Sequence, residues 1–205
     1  MQNYKYTSTV YAKSSTKILP WRREENYQDY YSNSQSLKIK TPDNYNYVIT
    51  TNHSIPNNSR KIFLWDNTDE NNSVLNKLKL LRRSQISDIA LLEIGNIRKK
   101  INNKIKVNEV NKSKFLPITK ISKRVPKSGN ILYFTIKLKD SYRPLMIELI
   151  FEQLGFENMN GSPNIPLTPV LMCSFKDKIP SEYLHGFSGS PVFYKKKMVG
   201  IFTQN

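Results

Sequence analysis

The feature that most constrains this chain is a succession of short apolar, β-branched runs separated by turn residues, with few helical patterns between them. Residues 36–40 alternate, 41–44 (Thr-Pro-Asp-Asn) turn, and 47–51 read as a strand. Residues 61–65 form another, closed by Asp66-Asn67, and 77–81 and 88–94 follow. A second series begins near Phe115. Residues 125–129 turn into a strand over 130–138, and 145–151 and 170–175 come next. Residues 191–194 and 198–203 are last, joined by Lys195-Lys196-Lys197. Strands at this spacing argue an all-β sandwich or barrel, and 205 residues suit two small lobes. The expected organisation is a basic, Tyr-rich arm over 1–33, a first β-barrel over 34–112 and a second over 113–205. Residues 96–112 are expected to connect the lobes, and the Gly-, Asn- and Pro-rich stretch 152–169 to form a long loop.

Charge narrows the partners. The net charge is +16. Residues 77–127 hold 15 Lys or Arg against the acids Asp88, Glu93 and Glu109. Such a segment is either a solvated basic face or a contact for nucleic acid or another polyanion. Its aromatic residues are sparse, so the segment by itself offers no stacking platform. Cys173 is the single cysteine, so no internal disulfide forms, which fits an intracellular, reducing compartment or a particle assembled in one. The first ten residues lack the apolar core of a secretory signal. No window reaches 18 apolar residues, so no membrane span is expected. Abundant Lys, Asn, Ile and Tyr point to an AT-rich genome, such as that of a large DNA virus or a low-GC bacterium.

Three local patterns carry chemistry. In Gly186-Phe187-Ser188-Gly189-Ser190-Pro191-Val192, two glycines permit the tight turn that exposes a serine hydroxyl. The N–H groups of Gly186 and Ser188 are then candidates for an oxyanion hole. In residues 48–53, a β-branched strand runs into His53, one of two histidines in the chain. In residues 88–94, Asp88 opens an apolar strand. Each pattern has a plain structural reading as a surface turn, a structural histidine or a strand-start residue. Their order is the informative part: a base at a strand end, then an aspartate, then a serine in the second series.

That His53…Asp88…Ser188 order resembles the trypsin-like serine peptidases, nearest their disulfide-free Deg/HtrA-like and viral branches. The stretches 48–53, 77–94, 115–134 and 185–204 carry the resemblance, which spans roughly residues 34–205; the Gly-x-Ser-Gly-Ser-Pro form also occurs in flavivirus-type proteases. It implies two antiparallel β-barrels of the chymotrypsin type with the active site between them. His53 is the implied base, Asp88 the orienting carboxylate and Ser188 the nucleophile. Thr203 matches the hydroxyl residue that bonds the aspartate, and Thr203, Gln204 and Asn205 match the strand that pairs with the substrate backbone. Glu182 matches the base of the primary specificity pocket, where a carboxylate favours Lys or Arg. His185 reads as a rim residue. Phe187 stands where secreted members carry the aspartate used in zymogen activation. Family members continue beyond the position of Asn205 with one more strand, so the second barrel is expected to be incomplete, its pocket completed by a C-terminal extension or a partner.

The expected activity is peptide-bond cleavage through an acyl-enzyme, with a polypeptide substrate and neither metal nor cofactor. Two rivals follow from the same residues. One is a structural or polyanion-binding component of a virion or nucleoprotein particle on a trypsin-like fold, with little activity. The other is a protease that processes only its own precursor.

Overall fold

A computed structural model describes residues 6–17, 27–57, 59–69, 72–94, 98–101, 104–107, 114–136, 145–159, 166–179, 184 and 186–203. Period-two alternation builds the first lobe. Its strands are β1 (Thr7–Lys17), β2 (Tyr27–Lys40), β3 (Asn46–Thr51), β4 (Ser59–Asp69), β5 (Asn72–Ser84) and β6 (Ile89–Ile94). They pair in the order β1-β4-β5-β6-β3-β2, and β2 pairs back onto β1, so six strands close into a barrel with no free edge in the ring. Val10, Ala12, Val48, Leu64, Ala90 and Leu92 point inward and are buried. Each large aliphatic side chain taken out of water this way contributes about 1.5–3 kcal/mol.

β9 (Leu116–Pro117) joins β2 in parallel and leads through one 3-10 turn into the second lobe. That lobe comprises β10 (Ile131–Ile136), β11 (Leu145–Glu157), β12 (Thr168–Phe175), β13 (Pro191–Tyr194) and β14 (Lys197–Ile201), in the order β12-β11-β10-β13-β14. β12 and β14 are not paired, so this sheet is a curled half-barrel around Leu132, Phe134, Ile136, Leu149 and Val192. The architecture is thus the chymotrypsin-type pair of antiparallel barrels, with the second one incomplete as expected. A third apolar cluster, including Leu37, Ile39, Leu116, Tyr133 and Phe193, joins the lobes. No helix among the described residues is long and apolar enough to cross a membrane.

Four expectations need correction. Within the arm expected over 1–33, residues 7–17 and 27–33 are not an arm: β1 and the first half of β2 are full members of the first barrel, and apart from Tyr6 the rest of that stretch lies outside the described residues. Their alternation is hidden because their inward positions are largely polar. Buried Ser36 donates to the Ser8 carbonyl at 2.9 Å, and Ser34 and Thr50 share a hydroxyl contact of 2.8 Å. Within 96–112, residues 98–101 (β7) and 104–107 (β8) pair as a hairpin rather than forming a plain connection. The loop expected over 152–169 is shorter. β11 runs on to Glu157 and β12 starts at Thr168, across a register shift between Phe151 and Gln153. That bulge reverses the alternation and conceals the strand. Finally, the basic segment 77–127 is not one face. It is divided among β5, the β7–β8 hairpin and the entry to the second lobe.

Candidate active site

β3 ends at Thr51, and the chain turns through Asn52, His53 and Ser54. Three contacts fix this turn. The Thr51 and Ser54 hydroxyls lie 2.7 Å apart, Ser32 donates its hydroxyl to the Ser54 carbonyl at 2.7 Å, and Ile55 N–H donates to Asn52 O at 3.0 Å. Beyond the turn, the Arg83 guanidinium donates to the carbonyls of Ile55 and Pro56 and to the Asn57 side chain. A histidine on a loop is thereby held on a rigid frame.

Asp88 sits at the entry to β6 with φ at +48°. This left-handed conformation is costly for most side chains but accessible to Asp and Asn. The backbone there accepts Asn52 N–H on its carbonyl at 2.9 Å. The carboxylate is 5% exposed and faces His53 twice. Oδ1 accepts the His53 backbone N–H at 2.8 Å, and Oδ2 lies 2.6 Å from His53 Nδ1. Thr203 donates its hydroxyl to Oδ2 at 3.2 Å. An ionised carboxylate only accepts, so Nδ1 carries the proton and Nε2 is left with a lone pair. The His53 side chain is 46% exposed, so it is open to solvent beside a buried acid.

The serine turn lies between the lobes. Gly186 has φ +84° and Gly189 φ +90°. Phe187 N–H donates to Leu184 O, and Ser190 N–H to Phe187 O. Gly189 N–H donates to Phe202 O at 2.8 Å, and Phe202 N–H returns to Ser190 O. Gln35 N–H, on β2 of the first lobe, donates to Ser188 O at 2.9 Å. Phe202 precedes Thr203, so the two residues that follow β14 hold the serine turn with one and Asp88 with the next.

A Cβ built on Gly189 would lie 1.9 Å from Gln35 O and 2.6 Å from Thr50 Oγ1. The first obstacle is backbone and cannot swing away. Gly189→Ala is therefore expected to cost roughly 3 kcal/mol or more, combining left-handed strain with separation of the lobes. A urea unfolding curve checks this, and an unchanged midpoint contradicts the docking described.

His53, Asp88 and Thr203 are thus brought together by direct bonds, while Ser188 and Gly186 lie on the separate turn that Phe202 and Gln35 anchor. Glu182, His185, Gln204 and Asn205 lie outside the described residues. Sequence reasoning missed Gln35, Thr50 and Arg83, which carry no motif; only the fold brings them to the site.

Next to Asp88, the open half-barrel holds a cavity of about 590 Å³, lined by Leu149, Leu171, Cys173, Val199 and Phe202 and reaching Thr203. Burial, then nearby Glu152, raises the Cys173 thiol to about 11. It stays protonated at neutral pH and is not a nucleophile there.

No protein-family model matches the sequence. No curated protein matches it either. Solved structures do resemble it. The Rv3671c protease from M. tuberculosis in its active form superposes with a TM-score of 0.59 at 12% identity, over 96% of this chain and 70% of that one. Its inactive form gives 0.58 at 10% identity, over 96% and 75%. The apo MamO protease domain from Magnetospirillum magneticum gives 0.53 at 14% identity, over 94% and 82%. At these identities the likeness concerns the fold alone, and the fold it identifies for this chain is the chymotrypsin-like double β-barrel of known trypsin-like proteases.

Proposed function

We propose that this protein is a serine endopeptidase in which Ser188, His53 and Asp88 act as one catalytic unit. The observation that carries the reading is the double engagement of His53 by the buried Asp88 carboxylate, with Thr203 fixing the second oxygen. That arrangement sets the imidazole tautomer a general base needs.

In the proposed reaction the Ser188 hydroxyl attacks the scissile carbonyl carbon while its proton passes to His53 Nε2. The charge on the imidazolium is balanced by Asp88, and the oxyanion is received by the N–H groups of Gly186 and Ser188. Collapse breaks the C–N bond, and His53 gives its proton to the departing amine. Water, deprotonated by His53, then releases the acyl group and restores the serine. Residues 203–205 pair with the extended substrate backbone in this reading, and Glu182 at the pocket base selects Lys or Arg. The unpaired edges of β12 and β14, with the cavity between them, support a further extended segment closing the second barrel, supplied by more of the chain or by a partner.

An activated ester tests the proposal. A p-nitrophenyl ester should release a burst of nitrophenol equal to the protein present, with the acyl group recovered on the peptide containing Ser188. Absence of both burst and adduct sinks the reading.

A further inference from the structure

Two features of the fold are left without a partner, and they are opposite in charge. The first is the open side of the second lobe. β12 pairs with β11 alone and β14 with β13 alone, and both strands line the cavity of about 590 Å³. An unpaired strand edge presents a row of N–H and C=O groups, and an extended segment laid along it takes them up. The charged residues of the cavity wall are Asp88, Glu152 and Glu157. No Lys, Arg or His lines it, in a chain of 32 Lys and Arg against 16 Asp and Glu. Neither glutamate is ion-paired among the described residues. Glu152 owes its place to the bulge in β11. Phe151 stands opposite Cys173 and Gln153 opposite Met172, so Glu152 is the extra residue and joins the cavity wall beside Cys173.

The second feature is the hairpin of β7 and β8. Its strands pair with each other and join the sheet of neither lobe. A two-stranded hairpin alone is marginal in water and gains stability when a further strand or surface packs on it. Residues 98–107 include the bases Arg98, Lys99, Lys100, Lys104 and Lys106 and no acid. β8 reads Lys104-Ile105-Lys106-Val107, and period-two alternation of this kind suits a strand with one charged and one buried face.

An acidic, apolar slot with unpaired edges and a basic, partly apolar hairpin with unpaired edges match in charge, in hydrophobicity and in hydrogen bonding. Within one chain the two are not joined. Two copies can exchange them reciprocally, each hairpin entering the other's cavity, which closes the pair with two-fold symmetry.

We propose that this protein forms a two-fold dimer in which the β7–β8 hairpin of one copy docks into the half-barrel cavity of the other, with β8 along the β12 edge and its lysines at Glu152 and Glu157. The docked strand is then the closing segment of the second lobe, in a cavity whose wall includes Asp88 and Thr203. This dimer rests on the closing segment proposed above and not on the peptidase chemistry.

Sedimentation velocity of the full chain over a concentration series tests it. Wild type should pass from monomer to dimer as concentration rises. Glu152→Lys/Glu157→Lys should weaken dimerisation by about ten-fold or more, and so should Lys104→Glu/Lys106→Glu, because each sets like charges face to face. An equimolar mixture of the two variants should dimerise as wild type does, since every cavity then meets a hairpin of opposite charge. That rescue also shows that both variants fold. Lys120→Glu/Lys123→Glu makes the same charge change at exposed lysines elsewhere and should leave dimerisation in place. A wild type that stays monomeric, a mixture no tighter than either variant alone, or an equal loss from the Lys120/Lys123 variant overturns the proposal. A monomeric wild type whose urea midpoint falls in both cavity and hairpin variants would place the hairpin in its own chain's cavity, and overturns the second copy as well. Fluorophosphonate labelling of Ser188 on the same samples reports the peptidase reading separately: a dimer that stays unlabelled sinks that reading alone, and a monomer that labels sinks this one alone.

Discussion

Ser188→Ala should lower peptide turnover by about 10⁶ while leaving the fold intact. The substitution removes one oxygen from a turn that backbone bonds to Gln35 and Phe202 hold. Gln35 N–H still reaches the Ser188 carbonyl, and Gly189 and Ser190 still exchange bonds with Phe202. Urea unfolding should therefore match wild type, in contrast to Gly189→Ala three atoms of backbone away. Activity and stability thus separate cleanly: the alanine at 188 abolishes the chemistry, and the alanine at 189 strikes the junction of the lobes. Turnover of a peptide library followed by mass spectrometry measures the first. Cleavage by the Ser188→Ala protein at even a hundredth of the wild-type rate would remove the serine from the mechanism, since the residual rate of such variants derives from binding and the oxyanion site alone.

The second large effect concerns Asp88. Asp88→Asn keeps the size of the side chain and tolerates the left-handed backbone, so the strand entry survives. Its hydrogen bonding does not. The carboxylate now accepts from the His53 backbone N–H on one oxygen and from Nδ1–H on the other. With an amide, the single oxygen must keep facing the backbone N–H, which has a fixed proton. The NH₂ group then points at Nδ1 and the ring must accept there, moving its proton to Nε2. Thr203, a donor to the same carboxylate oxygen, would turn its hydroxyl and accept instead. A histidine protonated on Nε2 cannot take the serine proton, and turnover should fall by about 10⁴ at neutral pH. Nitrogen-15 NMR of the imidazole reports the tautomer directly. A variant with the original tautomer and wild-type turnover would show that Asp88 does not orient the base.

The candidate site was more legible in the sequence than the lobe that supports it. His53, Asp88 and the glycines around Ser188 are read locally, because each sits where a strand meets a turn and the turn chemistry is written in adjacent residues. Strands β3 and β6 likewise show their faces: buried Val48 and Thr50 flank half-buried Ile49, and buried Ala90, Leu92 and Ile94 alternate with less buried Ile89, Leu91 and Glu93. The first barrel's β1 and β2 were illegible for the opposite reason. Beside Val10, Ala12, Leu37 and Ile39, their buried positions include Ser8, Ser34, Ser36 and Lys38, whose partners a linear pattern does not reveal. Gln35 and Thr50 acquire their roles only when the serine turn docks against them, a contact between residues more than a hundred positions apart. The far end of β11 was lost to a bulge and to exposure on both faces, since the half-barrel leaves Gln153, Leu154 and Phe156 in solvent.

The central claim is that Ser188 is activated by the His53–Asp88 pair. Labelling with a fluorophosphonate probe tests it most directly, because the phosphorus is attacked only by a serine whose proton has a base to receive it. The account predicts one label per chain on Ser188 in the wild type, and none in Ser188→Ala or His53→Ala. A wild type that stays unlabelled while folded, or a His53→Ala protein that labels as fast as wild type, would contradict it.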